Sequence, residues 1–213
     1  MKIDDMIKNR KKHKLNRKRK RSMEETIRIL KNCSPLDLLK YETRYPSDKF
    51  FKGDKAVNLE SIFNALKIST NAVGSTYIDE LLNSISDCSI SSTDVYACTI
   101  LNNDTIIIYY IDSNGQGSKR LYLAEELVYL CHNTDELTTE KSHCLIQPVD
   151  TEIYKRALEL LIPEERLIAC VKFLPAPLLD VLSEMFCVNM NDMEERLLDL
   201  RIPYYKPITY SSR

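Results

Sequence analysis

The stretch at residues 120–133, which reads RLYLAEELVYLCHN, carries the side chains best suited to chemistry in this chain. Two carboxylates, Glu125 and Glu126, stand side by side, and Tyr129 follows four residues after Glu125. In a helix, residues at i and i+4 lie on one face, so Glu125 and Tyr129 are expected to point the same way. Glu126 is the candidate general base, because a carboxylate can take a proton from a reacting group.

Hydrolysis by such a base commonly depends on a bound metal. In zinc peptidases the active-site helix carries HExxH, whose two His at i and i+4 hold zinc beside the catalytic Glu. Here the five positions read Glu125, Glu126, Leu127, Val128 and Tyr129, so the base is kept and both imidazoles are replaced. Because the metal polarises the carbonyl and activates the water, Glu126 alone cannot supply that chemistry. We therefore expect no metal and no other cofactor.

A different set of metal ligands has little to draw on. The chain contains only three His, at positions 13, 132 and 143. His132 lies seven residues after Glu125, about 10 Å further along a helix axis, which is too far to share one zinc. Glu125 and Glu152 together would suit a hard divalent cation such as Mg²⁺ or Ca²⁺ better. Without that cation, one of the two carboxylates would be protonated. Ordinary hydrogen bonds are the expected role of His132 and His143, and Cys131 and Cys144 do not extend them into a recognised zinc-binding spacing.

Residues 1–21 form a basic segment joined to an acidic body. They hold eleven Lys or Arg against Asp4 and Asp5, a net charge of +9, which leaves −10 on the rest of a chain whose total is −1. Residues 1–22, here called the basic arm, are predicted to be disordered and to bind DNA or RNA phosphates. A solubilising tail, or one folded back on the acidic body, is an equally good interpretation. The candidate phosphate-binding residues are Lys11, Lys12, Lys14, Arg17, Lys18, Arg19, Lys20 and Arg21.

Composition favours one main globular domain in the cytoplasm. The chain has 213 residues, of which 44% are hydrophobic and 29% charged. Its seven Cys are scattered and form no CxxC pair, as expected of reduced thiols. No apolar run approaches the roughly 20 residues needed to span a bilayer, and no apolar segment follows the basic N-terminus, so we expect neither a membrane protein nor a secreted one.

Local patterns predict a mostly helical chain with one hairpin. In the first half, helices are expected at 23–30, from Pro35, from an N-cap at Asn58, around 78–85 and through 120–133. In the second half they are expected from Thr151 to before Pro163, from Pro163 onward, at 178–188, and from a capping box at Asp192 and Glu195. Two strands, 95–101 and 105–111, are joined by a turn at 102–104, residues 46–54 are a loop, and 113–117 is a turn rather than a phosphate-binding loop.

Three separate segments of the sequence resemble motifs of the ImmA/IrrE family of zincin-like regulatory metallopeptidases. RLYLAEELVYLCHN is similar to the family's RFTLAHELGHxLLHH, EIYKRALELLIPEE to EAxxFAxxLLMPEE, and LSEMFCVNMNDMEERLLDL to LAxxFGVSxxxVxxRLxxL. VNLESIFNALKIS also resembles the family's opening segment, so the match covers residues 35–202. The resemblance implies an α+β, zincin-like domain at 23–202, mostly helical with a small β-sheet, followed by a tail at 203–213.

The resemblance also implies positions for the site. The zinc-binding His positions fall on Glu125 and Tyr129, the general base on Glu126, and the downstream acidic ligand on Glu152. Members of the family are zinc-dependent peptidases that inactivate a helix-turn-helix repressor, often on phages or other mobile elements, and so regulate transcription.

Because the His positions are replaced, the prediction is a pseudoenzyme that binds such a repressor without cutting it. Two alternatives stay open. One is an active endopeptidase that uses zinc or another divalent cation in an atypical site, and the other is a nucleic-acid-binding protein that acts through the basic arm.

Overall fold

The computed structural model describes residues 23–42, 55–84, 95–102, 105–112, 115–133, 143–145, 151–174 and 176–206. The basic arm with its eight candidate phosphate-binding residues lies outside these ranges, as does the loop predicted at 46–54. The helices are α1 (23–31), the 3₁₀ helix η1 (Pro35–Tyr41), α2 (Leu59–Leu66), α3 (Ser75–Ser84), α4 (Gly115–His132), α5 (Thr151–Leu161), α6 (Glu164–Phe173), α7 (Leu179–Phe186) and α8 (Met190–Asp199). The strands are β1 (Ile68–Val73), β2 (Ala97–Asn102), β3 (Thr105–Ile111) and β4 (His143–Leu145).

The four strands form one small mixed sheet in the order β1-β3-β2-β4. β2 and β3 are the predicted antiparallel hairpin, closed by the pairing of Asn102 with Thr105. β1 joins β3 in parallel, and β4 joins β2 antiparallel. The prediction of an α+β fold, mostly helical with a small sheet, is therefore confirmed.

Local capping signals position the first helices as predicted. The backbone N–H of Ser61 donates to Asn58 Oδ1 at 3.1 Å, which starts α2, and all four residues of its expected apolar face are buried. Ser34 caps the helix that begins at Pro35, with Asp37 Oδ2 accepting the backbone N–H of Ser34 at 2.9 Å. That helix is a 3₁₀ helix of seven residues.

Four details differ from the sequence-based expectations. β1 and β4 were not predicted, because neither has the alternation of a half-buried strand; β1 is exposed at Ser69–Ala72. The capping box at Asp192 is wrong, since α8 begins at Met190 with Asn189 as its N-cap, which puts Asp192 inside the first turn. Residues 115–117 belong to α4 rather than to a turn, and Gly115 takes a φ of +82° there.

The main core lies between α4 and one face of the sheet, and the other helices except α3 close it. Alternate residues of β3, Ile106, Ile108 and Tyr110, enter this core, as the period of a strand requires. α5 packs along α4, and α1, η1, α2, α6, α7 and α8 complete the cluster. None of the described helices is both long enough and apolar enough to cross a membrane.

A buried ion pair connects the first helices to the second half of the chain. Both carboxylate oxygens of Glu42 accept from the Arg166 guanidinium on α6, and Glu42 Oε1 also accepts the backbone N–H of Asn58 at 2.8 Å. The Glu42 side chain is only 3% exposed, and the Arg166 side chain is 13% exposed. Arg120 on α4 lies nearby and donates from Nη2 to the Val57 carbonyl at 2.9 Å. We call Glu42, Asn58, Arg120 and Arg166 the charged hub.

Breaking the charged hub at one partner should be costly. Arg166→Met leaves the Glu42 carboxylate buried without its guanidinium, so the free energy of unfolding should fall by about 3 kcal/mol. Urea unfolding followed by circular dichroism measures this.

Glu152→Gln is the matched control for the hub variant. Its carboxylate makes an ion pair with Arg156, but the two side chains are 60% and 45% exposed. Because water screens such a pair, its loss should change stability by less than about 1 kcal/mol. Equal losses from the two variants would contradict the assigned role of the hub.

Candidate functional site

α4 is enclosed on most of its circumference, which decides where its carboxylates point. The buried residues of its second half are Leu123, Ala124, Glu126, Leu127, Val128 and Leu130. A helix with so wide a buried face contacts several elements at once. Glu125 and Glu126, adjacent in sequence, therefore meet different surroundings.

Glu126 points at the sheet and is only 1% exposed. The hydroxyl of Thr99, in the middle of β2, donates a hydrogen bond to Glu126 Oε2, and Thr99 is itself fully buried. The pair ties α4 to β2 inside the protein. A general base must come within hydrogen-bond reach of the proton it removes, and this carboxylate is turned towards the core instead.

Glu125 points towards α5 and α8. The charge of Asp192 on α8 acts on its carboxyl, and the phenol of Tyr154 on α5 donates to Asp192 Oδ1 at 3.1 Å. Asp192 is 6% exposed, and Oδ2 is a buried oxygen with no hydrogen-bond partner among the described residues. Glu125, Tyr154 and Asp192 are here called the acidic cluster.

Burial shifts the titration of every member of the acidic cluster. It raises the pKa of Glu125 to about 7, with the charge of Asp192 adding to the effect. Burial also raises the pKa of Asp192, although hydrogen bonds from Tyr154 and Asn189 oppose the shift. The pKa of the Tyr154 phenol is raised by burial and by the neighbouring Asp192. Near neutral pH both protonation states of Glu125 are therefore populated, so it can accept or release a proton.

The structure does not bring Glu125 and Glu152 together, contrary to the expectation from the sequence. Glu152 lies on the exposed side of α5, where its Oε1 accepts from Arg156 Nε at 2.9 Å. Tyr129 is half-buried and packs against the main core. The carboxylate beside Glu125 is Asp192, which was predicted to be only a helix cap.

The residues that the resemblance assigns to zinc-ligand positions do not fit zinc. A tetrahedral zinc site needs its donor atoms to lie about 2 Å from one point. Glu152 instead pairs with Arg156 at the surface, and the Tyr129 side chain packs against the core. Within the described ranges, no group of three or more His, Cys, Asp or Glu side chains is arranged to hold a metal ion. Glu125 and Asp192 by themselves offer only two carboxylates.

The cysteine and histidine at the end of α4 show no sign of nucleophilic chemistry. Burial raises the pKa of Cys131 to about 12, so it is a thiol rather than a reactive thiolate near neutral pH. His132 is exposed, with Nδ1 3.0 Å from the Val128 carbonyl oxygen. The side chains of His143 and Cys144 lie outside the described part of the structure.

A close contact between α4 and α8 brings Asp192 to the site. A Cβ added at Gly117 would come within 2.8 Å of the Asn189 backbone nitrogen, so α8 begins directly against this glycine. Asn189 Nδ2 also donates to Ser118 Oγ at 3.3 Å. Tyr154 could have been found from the sequence, because it precedes Ala157 and Leu158 by three and four residues on the apolar face of α5. Asp192 gave no comparable signal.

Comparison with known proteins adds no family assignment. No protein-family model matches the chain, and no curated protein sequence matches it.

Glu125→Gln should make stability less dependent on pH. The folded-state pKa of Glu125, about 7, lies above its ordinary value of 4.5, so the wild-type protein loses stability as the pH rises between these values. The amide that replaces the Glu125 carboxyl cannot ionise, so the variant does not lose stability in this way as the pH rises. At pH 8 the variant should be more stable than the wild type by roughly 3 kcal/mol.

Thermal or urea unfolding between pH 4 and pH 8 measures the difference. Glu165→Gln, at an exposed position in the first turn of α6, controls for the loss of one carboxylate. Parallel stability profiles for the wild type and Glu125→Gln would contradict the raised pKa.

Proposed function

We propose that this chain is a non-hydrolytic regulatory protein of the ImmA/IrrE type. It binds a helix-turn-helix repressor, or a related partner of a phage or mobile-element switch, in the cytoplasm and does not cut it. The observation that carries the proposal is the burial of Glu126, at 1% exposure and hydrogen-bonded to Thr99.

The geometry at Glu126 favours binding over hydrolysis. A base that activates water must contact that water, and its metal must contact both the water and the scissile carbonyl. Glu126 instead anchors α4 to β2, and the residues at the zinc-ligand positions do not converge. A helix-turn-helix partner can still be held by surface contacts, because binding needs complementary shape and charge rather than a reactive group.

The charge of the body supports a basic partner. Outside residues 1–21 the chain carries a net charge of −10, while a DNA-binding domain presents basic side chains to phosphates. Glu126 lies below the surface, so we place the partner's contact on the exposed side of α5 around Glu152, whose carboxylate also pairs with Arg156. Such contacts would compete with DNA for the partner's basic face.

The binding test uses the helix-turn-helix repressors encoded in the same genome, each purified and titrated with the full-length protein. One of them should bind at micromolar concentration and remain intact. Glu152→Lys should weaken that binding about tenfold, because it reverses a charge at the proposed contact. Glu126→Gln keeps the hydrogen bond from Thr99 and should change the affinity less than about twofold.

Mass spectrometry of the repressor after incubation with zinc, manganese or magnesium separates binding from cleavage. A fragment that disappears with a chelator would establish the endopeptidase alternative instead. Binding to none of the repressors would reject the proposal.

A second candidate function is nucleic-acid binding through the basic arm, and the observation that favours it is the net charge of +9 on residues 1–21. Each phosphate neutralised by Lys or Arg releases counterions, so affinity should fall steeply with salt. Full-length protein should bind a 20-base-pair DNA duplex about 10³-fold more weakly at 200 mM than at 50 mM salt.

Deletion of residues 1–22 should abolish the DNA binding without changing the thermal stability of the body. Fluorescence anisotropy measures the first quantity and circular dichroism the second. DNA binding that survives the deletion would place the contact elsewhere on the protein.

A further inference from the structure

β1 is an outer strand of the sheet formed by the described residues. It pairs in parallel with β3 along its whole length, from Ile68 opposite Ile106 to Val73 opposite Ile111. No other described strand lies on its far side. In a six-residue strand, alternate residues turn both backbone N–H and C=O groups away from the paired neighbour. About three residues of β1 therefore present these groups to the outside.

This edge lacks the features that usually prevent strand pairing. Proteins protect open edges with Lys, Pro, bulges or very short strands. β1 reads ISTNAV, has an unbroken register with β3, and is exposed at Ser69, Thr70, Asn71 and Ala72. These side chains are small and uncharged, so another backbone can approach without displacing a charge.

Net charge is compatible with a second copy as the occupant. A full copy carries only −1, because the +9 on residues 1–21 offsets the −10 elsewhere, so two copies repel each other only weakly. β1 has no charged residue, so it is a segment where two like-charged bodies can meet without bringing charges of the same sign together. Identical strands can also satisfy each other's backbone groups, since a two-fold axis makes them antiparallel.

We propose that this chain forms a homodimer through antiparallel pairing of β1 with β1 of a second copy. The two four-stranded sheets then become one continuous eight-stranded sheet. A two-fold axis perpendicular to the sheet keeps each residue on its own face, so the axis passes through Thr70 or through Asn71. This inference does not rest on the proposed repressor binding.

Sedimentation-velocity ultracentrifugation of the full-length protein at about 5–200 µM tests the dimer over the range expected for a modest interface. The buffer holds 300 mM salt, which shortens the Debye length to about 6 Å and suppresses contacts made by the basic arm. The wild type should shift from monomer to dimer within this range. Thr70→Lys places like charges across the axis in either register and should weaken the dimer at least tenfold.

Ala169→Lys is the matched control, because it adds the same charge at an exposed position on α6 and should leave the dimer intact. Hydrogen–deuterium exchange of the wild type supplies a readout without any substitution. Amides of residues 69–73 should exchange more slowly at high protein concentration than at low concentration.

Three results would overturn the proposal. One is a monomer at every concentration, and another is exchange at 69–73 that does not depend on concentration. The third is a dimer that survives Thr70→Lys but is lost in Leu198→Glu, a change at a 58% exposed leucine on α8. That last result would place the interface on the C-terminal helices instead.

Discussion

A buried carboxylate with two kinds of donor holds this architecture together. Glu42 binds the guanidinium of Arg166 and the backbone N–H at the start of α2, so three separate stretches of chain must reach the same point. Burying charges is costly unless their geometry is satisfied, and that cost penalises any arrangement in which one stretch is displaced. Arg120 extends the constraint to α4 through Val57. The orientation of α4, and with it the surroundings of Glu125 and Glu126, depends on this meeting point.

Features set by neighbours in sequence could be predicted without the structure. Asn58 and the apolar residues that follow it define α2, because the cap and the helical period agree. The short polar link after Asn102 specifies the hairpin, and Pro163 ends α5 and precedes α6. In each case the signal lies within a few residues and needs no tertiary partner.

Features set by distant partners could not be predicted. β1 owes its existence to pairing with β3, since its own residues are mostly exposed and do not alternate. Helical periodicity separates the directions of Glu125 and Glu126 but cannot say that one meets Thr99 and the other Asp192. The segments that resemble the ImmA/IrrE family pointed to α4 and, on α5, to Glu152. The residue of α5 that belongs to the acidic cluster is instead Tyr154, which donates to Asp192.

Burial is the larger cause of the raised pKa of Glu125, and the contact at Gly117 makes the smaller contribution of Asp192 depend on a residue that has no side chain. α8 starts against the Cα of Gly117, and Asp192 lies three residues after Asn189. The spacing between α4 and α8 therefore sets how strongly the charge of Asp192 acts on the Glu125 carboxyl. Even a methyl group at position 117 would push the start of α8 outward and loosen that electrostatic coupling. Natural variation at this glycine would then tune proton affinity from outside the acidic cluster, leaving all three of its side chains unchanged.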